Sequence, residues 1–326
     1  MARRVEDFVS NNNRGVGRLE GYLVDASDER ALELSFSGIT CMVRVSGAVY
    51  ERDRGDHLLV GSTEPEHGIG RGGIGTEYGE YMEVTEEGET GVFTVDGRAT
   101  VVDSLRGIEN GIHELAVGTG DEPAVRSDEE LDNETERHRA WTEDTGPTEV
   151  TVLQKFSSVL TGDLSEAGVI DRNGRLMGRL LFGDVGSVTG TSDYRVEVTL
   201  RFESQTLGDG YITDVGLEAI TDSVSVSEEV AGIDRAVIGT SDQQPAPTDT
   251  TMGERLDDKA VERHARSDSV SALTVWFEDE PAGHPHSLRE IGLEDNQGRL
   301  IWRTVFDTEE KTDDLPVIVD ARIRII

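Results

Sequence analysis

Glu166-Ala167-Gly168-Val169, followed by Gly174-Arg175-Leu176, Arg179 and Phe182, returns downstream as Glu290-Ile291-Gly292-Leu293, Gly298-Arg299-Leu300, Arg303 and Phe306, each pair separated by the same stretch of chain. Self-similarity at a fixed spacing is the signature of a duplicated structural unit. Working outward, Val117-Gly118-Thr119 recurs as Ile238-Gly239-Thr240, and Glu136-Arg137-His138 as Glu262-Arg263-His264. Further upstream, Phe93-Thr94, Gly97, Val101 and Asp103-Ser104 match Ile212-Thr213, Gly216, Ile220 and Asp222-Ser223. The blocks keep one order while their spacing drifts by a few residues, so the two copies span about 92–205 and 209–326.

Each copy reads as a small, mostly β module. Val101, Val102, Leu105 and Ile108 form an apolar stripe suited to one short helix packed on a sheet, with Leu217, Ile220 and Val224 as the counterpart. Asp171-Arg172-Asn173-Gly174 lies between apolar segments, and Asn-Gly predicts a two-residue type I′ hairpin turn because both residues tolerate positive φ. Asn296-Gln297-Gly298 holds that place in the second copy. Each copy closes on an alternating strand: Tyr194, Val196, Val198, Leu200 and Phe202 share one face, and so do Val317, Val319, Ala321, Ile323 and Ile325.

Segments 121–149 and 241–270 are acidic, poor in large apolar residues, and carry Pro123, Pro245 and Pro247. They are expected to be extended surface arms that reach a neighbouring subunit and can be removed without unfolding the chain. Residues 1–91 lack the repeat's markers, and Leu32, Leu34, Phe36, Ile39, Val43, Val45 and Val49 suggest several short strands there. The expected fold is therefore mainly β: a separate small N-terminal β domain (1–91), then two tandem β-sandwich-like modules (92–208 and 209–326), each with one short helix.

Composition bounds the partners. The 326 residues hold 66 Asp+Glu against 31 Lys+Arg, a formal charge of -35, with lysine only at 155, 259 and 311. Acids spread through periodic apolar segments indicate a folded, salt-adapted surface rather than a disordered acidic tail. Such a surface repels phosphate backbones, so nucleic-acid binding is not expected. One cysteine, Cys41, leaves no internal disulfide framework and fits a small buried hydrophobe. No apolar run follows Arg3-Arg4 as a secretion signal requires, and no stretch approaches the ~20 apolar residues of a membrane span. Membrane insertion is not expected.

Constellations that could carry chemistry are few. Gly70-Arg71-Gly72-Gly73-Ile74-Gly75 has Gly-x-Gly-x-x-Gly spacing, but it lies between Glu64-Pro65-Glu66-His67 and Thr76-Glu77-Tyr78-Gly79, without the strand and helix a dinucleotide site needs. His284-Pro285-His286 could face a metal with Glu278 or Asp279, yet two histidines beside Pro281 and Pro285 fit an exposed loop better. His138 and His264 recur near Ser127 and Ser267 without any nucleophile elbow. The Glu-Arg-His triplets fit buried or intersubunit ion pairs. No catalytic residue, cofactor or metal ligand is assigned.

The order of blocks resembles a module of tail-fibre, tail-collar and baseplate proteins of tailed phages and archaeal tailed viruses. The first copy carries it as Val117-Gly118-Thr119-Gly120, Glu166-Ala167-Gly168-Val169 and Arg175-Leu176-Met177-Gly178-Arg179-Leu180-Leu181-Phe182. The second departs at Ser241 and Ile291, and the resemblance covers about 92–326. It implies a β-structured virion part, usually oligomeric and without catalysis. The expectation is thus a tail, baseplate or fibre component of a haloarchaeal virus, assembled in the host cytoplasm, that docks with its own kind, with other virion proteins or with the host surface. A capsid turret or spike, a host-surface depolymerase and a halophilic adhesion module are the alternatives.

Overall fold

The computed structural model describes residues 32–53, 56–62, 91–156, 162–182, 187–188, 193–206, 210–225, 232–267, 269–277, 286–311 and 316–326. The chain is mainly β, and the described residues include two helices of 11 residues. It opens with β1 (Leu32–Asp53) and β2 (Asp56–Ser62). The first module runs through β3 (Val92–Phe93), α1 (Val95–Leu105), β4 (Ile112–Gly118), β5 (Glu134–Arg139), β6 (Trp141–Gly146) and β7 (Glu149–Phe156). It continues with β8 (Gly162–Asp163), β9 (Glu166–Asp171), β10 (Leu176–Leu181), β11 (Ser187–Val188) and β12 (Asp193–Thr206). The second repeats the plan with β13 (Tyr211–Ile212), α2 (Asp214–Val224), β14 (Ile233–Gly239), β15 (Arg255–Ala260), β16 (Arg263–Ser267) and β17 (Val270–Phe277), then β18 (His286–Asp295), β19 (Leu300–Lys311) and β20 (Val317–Ile325).

Two five-stranded sheets, β3-β10-β9-β4-β5 and β13-β19-β18-β14-β15, correspond strand for strand. The closing strands meet in one large sheet, β16-β17-β20-β1-β12-β7-β6, with β2 beside β1. Val196, Val198, Leu200 and Phe202 in β12, and Val317, Val319, Ala321, Ile323 and Ile325 in β20, are all buried, as alternation predicted. They belong to one core that spans both modules and β1.

β1 does not belong to a separate N-terminal domain. It is the central strand of the large sheet, antiparallel to β12 (Val43 opposite Phe202) and parallel to β20 (Leu34 opposite Val319). Its apolar residues cover only one face, so it must share a core, and its pairing satisfies the inner edges of β12 and β20 at once. A register shift between Phe36 and Ile39 moves the buried positions from even numbers (Leu34, Phe36) to odd ones (Ile39, Cys41, Val43, Val45) without turning the strand over.

Each helix starts on a threonine cap. Thr94 accepts from Gly97 N–H (3.0 Å) and donates to the Leu176 carbonyl; Thr213 accepts from Gly216 N–H (2.9 Å) and donates to the Leu300 carbonyl. Gly97 and Gly216 are needed for close approach, since a Cβ there would fall on the Met177 or Ile301 carbonyl oxygen. Val101, Val102 and Leu105 are buried, whereas Ile108, expected on the same stripe, lies beyond the helix and is exposed. The helices meet where Ser104 Oγ donates to the Ser223 carbonyl (3.4 Å).

The hairpins differ from the expected type I′ turn. Gly174 N–H bonds the Asp171 carbonyl (3.0 Å) and Gly298 N–H the Asp295 carbonyl (3.0 Å), so each glycine ends the turn instead of occupying its centre. Both take φ +79, which fits a three-residue loop closed by a left-handed glycine.

The acidic segments are not free arms. Each contains two edge strands that pass from a five-stranded sheet to the large one. At the corners, Ala140 N–H bonds the His113 carbonyl (2.9 Å) and Val261 N–H the Asp234 carbonyl (2.8 Å). Edge strands tolerate charge and need few apolar residues, which is why they read as arms. The register also dissolves one sequence match: Val117 faces Glu136 and its counterpart Ile238 faces Asp257. The structural equivalent of Glu136-Arg137-His138 is therefore Asp257-Asp258-Lys259, and Glu262-Arg263-His264 belongs to the next strand.

Candidate functional site: ionic clamps and open sheet edges

The most conspicuous polar features are two pairs of buried clamps built from the repeated blocks. Glu166, fully buried at the start of β9, accepts from the backbone N–H of Gly120 (3.0 Å), Asp132 (3.1 Å) and Asn133 (2.7 Å). Arg179 of β10 bonds Glu166 (2.9 Å), Asp128 (2.8 Å) and the Glu122 carbonyl (3.0 Å). In the second module Glu290 accepts from Ser241, Gly253 and Glu254 N–H, and Arg303 bonds Glu290 (3.0 Å), Asp249 (2.6 Å) and the Gln243 carbonyl (2.9 Å). Each carboxylate thus ties down the loop entering the edge ribbon, and each arginine balances the buried charge.

The second pair fixes the hairpins. Asp171 Oδ1 accepts from the N–H of Asn173 (2.8 Å) and Arg175 (2.9 Å), and Asp295 does the same for Gln297 (2.9 Å) and Arg299 (2.8 Å). Arg175 and Arg299 then reach Asp171 and Asp295, each at 2.7 Å. Asp103 gathers Arg175 (3.3 Å), Asn110 (3.0 Å) and, from the second module, Arg266 (2.5 Å), which staples the modules together. Its counterpart Asp222 pairs only with Arg299 among the described residues (2.7 Å).

The residues weighed from sequence do not converge. His138 lies on β5, exposed, 2.5 Å from Glu136 and with its ring 5.4 Å from Phe156. His264 lies on β16 with Nε2 2.6 Å from the buried Ser271 Oγ; burial and then the nearby Arg106 charge depress its pKa to about 4. His286 begins β18 opposite Lys311. His284, Glu278, Asp279 and the Gly70–Gly75 loop lie outside the described residues. Among the described residues no group of three or more His, Cys, Asp or Glu is arranged to hold a metal. Cys41 is fully buried, and burial pushes its thiol up to about 12. Among the described residues no helix is long and apolar enough to cross a membrane.

What the described surface presents instead is sheet edges. β6 and β16 end the large sheet, and β5 and β15 end the smaller ones. Trp141, at the start of β6, is 68% exposed, the largest apolar side chain so displayed among the described residues. Sequence reasoning missed it because 121–149 looked like one acidic arm; a lone tryptophan in such a segment was the available signal.

No family model, curated protein or solved structure matches the chain.

Proposed function

We propose that the chain is a non-enzymatic structural part of a haloarchaeal virus, a tail, baseplate or fibre component that assembles through its own copies and other virion proteins. The observation that carries this reading is what the motif residues do. Glu166 and Arg179, both within the blocks that resemble the tail module, hold loops and strands in place, as do Glu290 and Arg303. These charged groups are consumed in building a double unit whose outer strands β5, β6, β15 and β16 have no further strand beside them among the described residues. A unit of that kind suits multivalent docking, where two modules on one chain raise assembly strength without any single strong contact. The net charge of -35 suits a particle exposed to molar salt.

The test is mass spectrometry of purified particles followed by labelling with an antibody against this chain. The expected result is label on the tail apparatus. Label on the head would move the assignment to a turret or spike, and absence from particles would remove the virion reading altogether.

A further inference from the structure

The duplication supplies an internal control for the outer face of the large sheet, the side turned away from the core. The corners at Ala140 and Val261 are followed at the same spacing by Phe156 and Phe277, both buried, which face Tyr194 and Val317. β7 and β12 thus correspond, residue by residue, to β17 and β20. Between its buried residues β12 turns Glu197, Thr199 and Arg201 outward, opposite Leu153, Thr151 and Glu149. β20 turns Asp320, Arg322 and Arg324 outward, opposite Thr274, Ala272 and Val270.

In the first module this face satisfies itself. Arg201 Nε donates to Glu149 (2.6 Å), the Thr151 and Thr199 hydroxyls bond each other (3.0 Å), and Arg44 of β1 pairs with Glu203 (3.2 Å). In the second module Val270 stands where Glu149 does, and Ala272 where Thr151 does. Arg322 and Arg324 are exposed, and among the described residues neither guanidinium has an ion pair or a hydrogen bond. The next acid along the face, Asp320, accepts from the Thr274 hydroxyl (2.6 Å). In a chain with 66 acids to 31 bases, two neighbouring arginines have therefore lost the countercharge that the same position carries in the other module.

Spacing narrows what would restore that charge. Two residues apart on one strand, Arg322 and Arg324 stand about 7 Å from each other, which is also the repeat of alternate side chains on an extended segment. A guanidinium takes a carboxylate through two parallel N–H bonds. In molar salt the Debye length is ~3 Å, so such direct contacts count while long-range attraction does not. The net charge of -35 repels a long polyanion such as nucleic acid, whereas a short segment meets the arginines alone. From these observations we propose that the outer face of β20 is a docking site for an extended acidic segment of another protein, whose carboxylates at alternate positions pair with Arg322 and Arg324 beside Val270 and Ala272. This rests on the assembly reading above and gives the chemistry of the partner.

The test titrates the full chain, in molar KCl, into a fluorescent peptide of alternating aspartate and threonine. A peptide with asparagine in place of aspartate and a DNA duplex serve as comparison probes, and thermal unfolding checks the fold. The aspartate peptide is expected to bind about tenfold or more tighter than either. Arg322→Gln with Arg324→Gln, and separately Val270→Glu, should each weaken its binding by about tenfold or more, a change of about 1.4 kcal/mol. Val270→Glu keeps both arginines and only restores the countercharge that Glu149 supplies in the first module, so it separates loss of the site from loss of the fold. Arg201→Gln, at an arginine already paired, should leave binding unchanged. No binding of the aspartate peptide, equal binding of the asparagine peptide or the duplex, or either variant binding like wild type would each overturn the proposal. Self-association by light scattering that Val270→Glu abolishes would put a second copy in the site instead. Peptide binding lost in both variants, by a chain absent from particles, would keep the docking site and remove the assembly reading. A chain found in particles that ignores the peptide would do the reverse.

Discussion

Replacing Arg303 by methionine tests whether the buried clamp holds the second module's loop to its sheet. Arg303 is 2% exposed and Glu290 fully buried, and their contact is 2.9 Å, so the substitution strands a carboxylate with three backbone donors and no countercharge. Asp249, at 16% exposure, can be partly hydrated and adds less. Removing one partner of a buried ion pair costs about 3–5 kcal/mol, against about 0–1 kcal/mol for an exposed pair. Arg303→Met is therefore expected to cost about 3–5 kcal/mol in urea unfolding at constant molar KCl, and to speed amide exchange across 241–254. Adding Glu290→Gln removes the stranded charge, so the double variant should be more stable than Arg303→Met alone. Arg179→Met and Glu166→Gln should reproduce the pattern in the first module. A cost below about 1 kcal/mol, or a double variant equal to the sum of the singles, would refute the account.

Gly174→Val and Gly298→Val should each cost about 1 kcal/mol or more in the same unfolding assay, because a β-branched residue resists the positive φ both glycines adopt. Gly97→Ala and Gly216→Ala should cost about 1–3 kcal/mol, since helix and strand must move apart to admit a Cβ. Folded His264 has its pKa depressed to about 4 from 6.5, so the stability it contributes is complete above pH 6.5 and is lost as pH falls toward 4. His264→Gln should flatten that part of the melting profile, and an unchanged slope would remove the assignment. Lowering salt from molar to ~0.1 M lengthens the Debye length from ~3 to ~10 Å and should lower the melting temperature steeply; an unchanged value would contradict salt adaptation.

The parts of the fold legible in the sequence were those fixed locally. The alternation of residues 194–202 and 317–325 and the left-handed glycines 174 and 298 need only near neighbours along the chain. β1 was misplaced because its partners β12 and β20 are remote, and nothing local announces that a strand is paired on both sides. The Glu-Arg-His match misled because identity was taken for equivalence: at positions 136–138 and 257–259 the duplicated unit keeps its register but not its residues. The clamps were half legible. Glu166, Arg179, Glu290 and Arg303 stood out as repeated, but the glutamates bind backbone N–H groups of the loops they fix and the arginines reach the Glu122 and Gln243 carbonyls, backbone partners that side-chain identities do not reveal.

The central position of β1 also sets an order on synthesis. Leu32 leaves the ribosome well before its parallel partner Val317, which is made 285 residues later. The first module can form its small sheet and its hairpin during translation, while one side of β1 stays bare until β20 arrives. A truncated product would therefore expose a long apolar strand with unpaired backbone, a strong signal for proteolysis or chaperone capture. A chain cut short of β20 is thereby marked by the fold itself.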